Sequence, residues 1–357
     1  MKIVQLLPSM SFGDAVSNDA AAIQQMIRES GMETVLYSRH IDSRLPAGTV
    51  RHVKDMEPLA DEDILLYHGS TGDPMNLRVP LLKGKKVMRY HNITPPHFFE
   101  EYSRRSRALT ESGYWEMKTV APDFSYAVAD SDYNRQDMRR LGFRCPIDVC
   151  PVVIPFSDYD RDSDPEILDR YSGDGWTNLL FVGRISPNKR QENVIRAFEH
   201  YHRHYNPKSR LFLVGSPVGM ETYLVRLQKY VRSLRLEGRV IFTGQISFRA
   251  ILAYYRLADV FVCMSEHEGF CVPIVEAMYF GKPIVALRAA AVPETLGNGG
   301  LLLDSSDPAV AAAAVDRLVR DAALRDRLAG EQKRKLQGFS YENVRERLMG
   351  CLEAFMK

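Results

Sequence analysis

The sequence predicts an α/β protein of two domains, each a parallel sheet wrapped by helices. Three observations carry that expectation. The chain is 357 residues long, more than one ordinary hydrophobic core takes up. Short β-rich runs alternate with helical stretches twice over, the pattern of parallel strands joined by crossover helices. A polar stretch rich in Asp and Gly separates the two sets.

In the first half the strand-like runs are KIVQLLP, TVLYSR, DILLYHG, KKVMRYHN, SYAVADS and IDVCPVVIP. In the second they are NLLFVGRI, RLFLVG, RVIFTG, DVFVCMS, KPIVALR and GLLLD. Between them lies FSDYDRDSDPEILDRYSGDGW, which reads as a linker. The spacing therefore predicts Rossmann-like domains over 1–155 and 176–338, with a linker over 156–175. Residues 339–357 fit an amphipathic helix whose N-cap is Ser340.

Composition excludes several classes. Hydrophobic content of 45% and charged content of 26% describe a soluble globular chain. A net charge of +2, with the basic residues dispersed, gives no reason to expect nucleic acid as a partner. The five cysteines form no CxxC pair and read as reduced thiols in a cytoplasmic setting. The first residues read as a strand and not as a signal peptide. No run approaches the roughly 18 apolar residues of a membrane span.

In open α/β sheets ligands bind beyond the carboxyl ends of the strands, so those ends are the places to search. No GxGxxG and no GxxxxGK[ST] follows a strand, which argues against dinucleotide and P-loop sites. The DxD triplets Asp61/Asp63, Asp130/Asp132 and Asp162/Asp164 are too short a pattern to identify a metal site, and no metal is expected.

The stretch EHEGFCVPIVEAM is different. Glu268 leaves the carboxyl end of a buried strand. A helix then begins near Pro273 and stops at Gly281, with Glu276 in its first turns. Ile274, Ala277 and Met278 share the face that packs on the sheet, and Glu276 points elsewhere. The helix start offers amides and a dipole to an anion. One carboxylate, a phosphate cradle and a second carboxylate suit a nucleotide sugar.

These residues resemble the E-x7-E signature of retaining glycosyltransferases of family 4. The resemblance rests on EGFCVPIVEAM, YFGKPIVAL and AAAVPETLGNGGLLLD, and upstream on LLFVGRISPNKRQENVIRAF and FTGQISFRAILAYYRLADVFVCMSE. It covers nearly all of the second half and little of the first. Two departures stand out: Cys271 where the family usually has Gly, and an N-terminal loop SMSFGDAVSND poorer in Gly.

The resemblance implies the GT-B fold, two facing Rossmann-like domains with a cleft between them and a C-terminal helix crossing back. It implies that Arg184 and Lys189 meet the donor diphosphate, stabilising the charge that builds on the leaving group. Glu276 would hold ribose hydroxyls and Glu268 hydroxyls of the transferred sugar. Gly269, Phe270 and Cys271 would offer backbone amides, and Gly13, Gly183, Gly215 and Gly244 would allow close approach of the donor. His91, at a strand end, takes the place of a His near the transferred sugar. Ser131 also matches a family position or caps a helix.

The implied activity is metal-independent, retaining transfer of a hexose, mannose as the working choice, from a GDP- or UDP-linked sugar. The acceptor would be a saccharide or lipid-linked saccharide of bacterial polysaccharide or lipopolysaccharide synthesis. Segment 97–120, with Arg104, Arg105 and Arg107 among aromatics, is either a solvated face or a peripheral membrane contact. A GT-B epimerase or hydrolase, or a non-catalytic sugar-binding protein, is the alternative reading.

Overall fold

A computed structural model describes residues 1–356. The chain divides into two compact units. The first comprises Met1–Pro96, Arg105–Pro155 and the chain from Gly338 onward; the second comprises His97–Arg104 and Phe156–Gln337.

The first unit runs β1 (Ile3–Met10), α1 (Ala15–Glu29), β2 (Thr34–Ile41), β3 (Arg51–His52), β4 (Ile64–Gly69), β5 (Lys85–Tyr90), α2 (Arg104–Val120), β6 (Tyr126–Ala129), α3 (Asp132–Arg140) and β7 (Ile147–Val149). The seven strands are parallel, in the order β3-β2-β1-β4-β5-β6-β7. Strand β4 is buried on both faces, as its unbroken apolar run requires. Asp14 caps α1 by accepting from the Ser17 amide at 3.2 Å, and Ala20, Ile23, Met26 and Ile27 form its buried face.

The C-terminal helix, Tyr341–Met356, belongs to this unit. Ser340 caps it through the Asn343 amide. Val344, Leu348 and Leu352 are fully buried in a cluster with Ile3, Ile23 and Ile27, each contributing about 1.5–3 kcal/mol. Tyr341 adds a hydrogen bond to Glu29 at 2.7 Å.

The second unit runs α4 (Pro165–Tyr171), β8 (Thr177–Val182), α5 (Gln191–His204), β9 (Ser209–Val214), α6 (Glu221–Ser233), β10 (Val240–Gly244), α7 (Phe248–Leu257), β11 (Val260–Cys263), α8 (Val272–Tyr279), β12 (Ile284–Leu287), α9 (Val292–Leu296), β13 (Leu301–Leu303), α10 (Pro308–Arg320) and α11 (Ala322–Gln337). Its parallel sheet has the order β10-β9-β8-β11-β12-β13. The strand order reverses between β8 and β11, and a crevice opens at such a reversal, beyond the carboxyl ends.

Two sequence expectations need correction. Residues 156–175 are not a free linker. Phe156–Asp160 forms a 3-10 turn and 165–171 forms α4, both packed on the second unit. The apolar side chains scattered through this polar stretch decide it: Tyr159 is buried, and Ile167 and Tyr171 join a core cluster. Residues 97–104 group with the second unit, not with 1–155. Phe99 enters its main core, Tyr102 stacks edge-on against Tyr223, and Glu101 pairs with Arg226 at 2.8 Å.

Candidate active site

The loop after β8, residues 183–190, and the loop after β11, residues 264–271, leave neighbouring strands at the reversal of order. A buried asparagine ties them together. Asn188 donates from Nδ2 to the His267 carbonyl at 2.9 Å, and its own carbonyl accepts from the Glu266 amide at 2.9 Å. Ser186 holds the Asn188 side chain at 2.7 Å. Nothing in the sequence separated Asn188 from an ordinary polar loop residue.

Across this clamp, Lys189 Nζ donates to Glu268 Oε1 at 2.6 Å, and Ser265 Oγ donates to the same oxygen at 2.8 Å. Burial alone would pull Lys189 down, but the adjacent Glu268 carboxylate leaves it raised, so the ammonium stays charged. The pair is nearly buried, with 13% and 11% of the side chains exposed. Arg184 is exposed, and its guanidinium forms no ion pair among the described residues. Arg190, which sequence reasoning passed over, has a left-handed backbone (φ 48°), pairs with Glu266 at 2.8 Å and lies over the Phe98 ring.

Glu276 is held apart from this pair. Tyr159 donates to one of its oxygens at 2.9 Å and Tyr255 to the other at 2.6 Å. Burial pushes its carboxyl up, while the two hydroxyls pull it back. Both tyrosines were missed; Tyr159 lies in the stretch that reads as a linker.

The glycines divide. A Cβ on Gly215 would meet the Gly183 carbonyl oxygen at 2.0 Å, so Gly215 is required by the approach of two strand ends. A Cβ on Gly183 would crowd Lys189, whose chain runs beneath it. Gly244 has open space around it and is demanded by φ 67° alone. Cys271 stands at φ 75° as the N-cap of α8, a conformation that favours glycine. Its Sγ lies 4.0 Å from Cys263 Sγ, which with burial pushes the Cys271 thiol well up. Gly269 and Phe270 bridge Glu268 to this cap, and the Phe270 carbonyl accepts from Thr295 Oγ1.

Residues 172–335, which contain both loops, match the family model for glycosyl transferases group 1. Among relatives, the chain is 26% identical over 293 residues to the O-antigen chain mannosyltransferase B of Escherichia coli, covering 80% of this chain and 73% of that one. The chain is a GT-B glycosyltransferase. It is 32% identical over 240 residues to a D-inositol 3-phosphate glycosyltransferase of Acidothermus cellulolyticus, spanning 66% of this chain and under half, 47%, of that protein. In fold this glycosyltransferase resembles sucrose-phosphate synthase of Thermosynechococcus elongatus, with a TM-score of 0.75, 17% identity and 99% of both chains covered. Anabaena HepE, solved with UDP and glucose, gives a TM-score of 0.73 at 18% identity, over 99% of this chain and all of that one.

The remaining expected residues lie in the first unit. Gly13 follows β1 at φ 75° in open space. Ser131 caps α3 by accepting from the Asn134 amide at 3.1 Å. His91 follows β5, and its ring is engaged on both sides: Nδ1 faces Asp130 Oδ2 at 3.0 Å and Nε2 faces His68 Nδ1 at 3.0 Å. Beneath it, the fully buried Arg89 lies between Asp19 at 2.9 Å and Asp130 at 3.0 Å. With 3% of the His91 side chain exposed, the imidazole works inside this network.

Ligand atoms of Asp19, His68 and His91 lie within 4.8 Å of one another, a metal-sized grouping. Yet Asp19 already accepts from Arg89 Nε at 2.9 Å and from the Val153 amide at 2.8 Å. A cation there would face the Arg89 charge. One acid of each DxD triplet outside this network is engaged too: Asp63 accepts from two backbone amides, Asp132 pairs with Arg135, and Asp164 caps α4.

Proposed function

We propose that this glycosyltransferase belongs to the retaining, family 4 type and transfers a hexose from a nucleotide-diphosphate sugar without a metal ion. The supporting observation is the Lys189–Glu268 pair at 2.6 Å, clamped by Asn188 between the loops after β8 and β11, with Arg184 exposed on the first loop. Lys189 and Arg184 supply the positive charge that a leaving diphosphate needs. Glu268 then serves two ends, fixing the lysine and accepting from sugar hydroxyls. Glu276, oriented by Tyr159 and Tyr255, grips the ribose hydroxyls through its remaining lone pairs.

In the reaction the anomeric C–O bond to phosphate breaks and the acceptor oxygen bonds to the same face of that carbon. The acceptor proton passes to the leaving phosphate oxygen, so no protein nucleophile is used. His91 acts by shaping the wall beside the transferred sugar, its ring held by Asp130 and His68.

A mannosyl donor is the choice we favour, since the Escherichia coli relative is named as an O-antigen chain mannosyltransferase. A saccharide or lipid-linked saccharide acceptor in polysaccharide or lipopolysaccharide synthesis follows from the same name. Peripheral membrane contact would fall to α2, which exposes Arg104, Arg105, Arg107 and Trp115. No helix among the described residues is long and apolar enough to cross a membrane.

The test is a panel of GDP- and UDP-linked sugars followed by product release, with and without excess EDTA. Turnover of one donor, unaffected by chelation and giving a product of retained anomeric configuration, is expected. Loss on chelation with recovery on adding Mg²⁺ or Mn²⁺, or an inverted product, would refute the reading.

A further inference from the structure

A cavity of about 430 Å³ lies on the flank of the second unit's sheet and has no part in the function proposed above. It arises because β10 is the outermost strand. Arg239 just before it, then Ile241 and Thr243 along it, alternate onto one face. Helices α4 and α7 wall that face with Tyr171 and Tyr254, leaving a trench beside the edge strand.

The lining carries three arginines and no carboxylate. Arg210 is engaged through all three of its nitrogens: it donates to Asn178 and Asp174 at 2.6 Å each and to the Tyr171 carbonyl at 2.7 Å. That pairing uses up Asp174. Arg170 and Arg239 are exposed and form no ion pair among the described residues, so two positive charges remain. Each guanidinium lies over an aromatic ring of the lining, Arg170 over Tyr171 at 5.2 Å and Arg239 over Trp176 at 4.3 Å. Stacking of this kind holds the guanidinium flat while its N–H edge stays available to an in-plane oxyanion.

The volume is that of a small-molecule site, and apolar side chains and ring faces form much of its wall. We infer that this cavity binds an aromatic or heteroaromatic phosphate, its oxyanion between Arg170 and Arg239 and its ring against Trp176 or Tyr254. The site is separate from the loops proposed to hold the donor. Trp176 precedes β8 at its amino end, whereas Gly183 follows the carboxyl end, about 20 Å further along the strand.

The chain has two tryptophans, Trp115 and Trp176, so Trp115→Phe leaves Trp176 as the sole reporter. In that protein, phenyl phosphate should quench tryptophan emission saturably, with a Kd on the order of 1 mM or tighter. Inorganic phosphate and benzyl alcohol, each carrying half of the chemistry, should bind at least about tenfold more weakly. Arg239→Gln and Arg170→Gln change exposed side chains and should keep the far-ultraviolet dichroism of the parent, yet each should weaken phenyl phosphate about tenfold or more. Lys189→Ala should leave this titration unchanged, which separates it from the donor reading. The inference is overturned if phenyl phosphate gives no saturable quench, or if quenching survives the double Arg170→Gln, Arg239→Gln substitution. It is equally overturned if Lys189→Ala abolishes the quench, or if inorganic phosphate binds as tightly as phenyl phosphate.

Discussion

Two charged groupings stand at strand ends in the two units, and they are built to opposite plans. In the first unit Arg89 lies between Asp19 and Asp130, beside His91 and His68, with every one of these side chains almost wholly buried. Both carboxylates face Arg89 and the His91 ring nitrogens have partners inside the unit, while Asp130 Oδ1 meets Arg89 at 3.0 Å as an ion pair without a hydrogen bond. In the second unit Lys189 and Glu268 meet in a nearly buried contact that Ser265 shares, and Arg184 on the same loop as Lys189 is exposed. A closed network fixes a backbone; an open one has capacity left for a ligand. The difference separates a charge cluster paired within its unit from one that keeps an exposed cation on the same loop.

Removing the buried cation should give the largest effect. Arg89→Met strands the Asp19 and Asp130 carboxylates in the core, and the loss of stability should be about 3–5 kcal/mol, measured from the urea midpoint. A cost below about 1 kcal/mol would mean the network is not closed as described.

Lys189→Ala strands the nearly buried Glu268 carboxylate and should lower stability, though less than Arg89→Met, and should lower kcat/KM for the donor by about 10–100-fold, with weaker nucleoside-diphosphate binding. Calorimetric titration with UDP and GDP provides the check. Unchanged affinity would remove Lys189 from the donor site.

Glu276→Gln should raise the donor KM by roughly tenfold and spare kcat, because a ribose contact is equally good in ground and transition states. Tyr159→Phe should do the same more weakly, since Tyr255 still orients the carboxyl group. Glu268→Gln should fall mainly on kcat, as a carboxylate near the reacting carbon gains value while charge develops there. A reversed pattern would exchange the places of the two acids along the donor.

The smallest effect concerns acid. Burial lowers His267 from its ordinary 6.5 to about 4, and also holds His68 well below the usual range. Between those two values the unfolded chain binds a proton at His267 that the folded chain refuses, so stability rises with pH across that window and falls as pH drops through it. Unfolding midpoints should therefore decline below about pH 6.5. His267→Gln should flatten the decline by about 1 kcal/mol near pH 5.5. An equally steep decline in that variant would assign the acid sensitivity elsewhere.

Much of this architecture was written locally. Strand and helix periods, Pro273 at a helix start, and a polar break before residue 176 depend on neighbours a few positions apart, and those the chain states directly. The order of Glu268, the helix start and Glu276 was legible for the same reason. Packing over longer distances decided the rest. Residues 156–175 read as a linker because most of them are polar, but the buried Tyr159 and the partly buried Ile167 and Tyr171 outweigh that average. The same reach brought Tyr159 onto Glu276, 117 positions away, and Lys189 onto Glu268, 79 positions away. Arg184 and Lys189 look equivalent in the sequence; the fold buries one against a carboxylate and leaves the other exposed. His91 stood out as a reactive residue at a strand end, and only the surrounding Asp130 and His68 show its ring already engaged. A side chain's chemistry is given by its type, but whether its lone pairs and charge remain available depends on partners that the fold alone brings into contact.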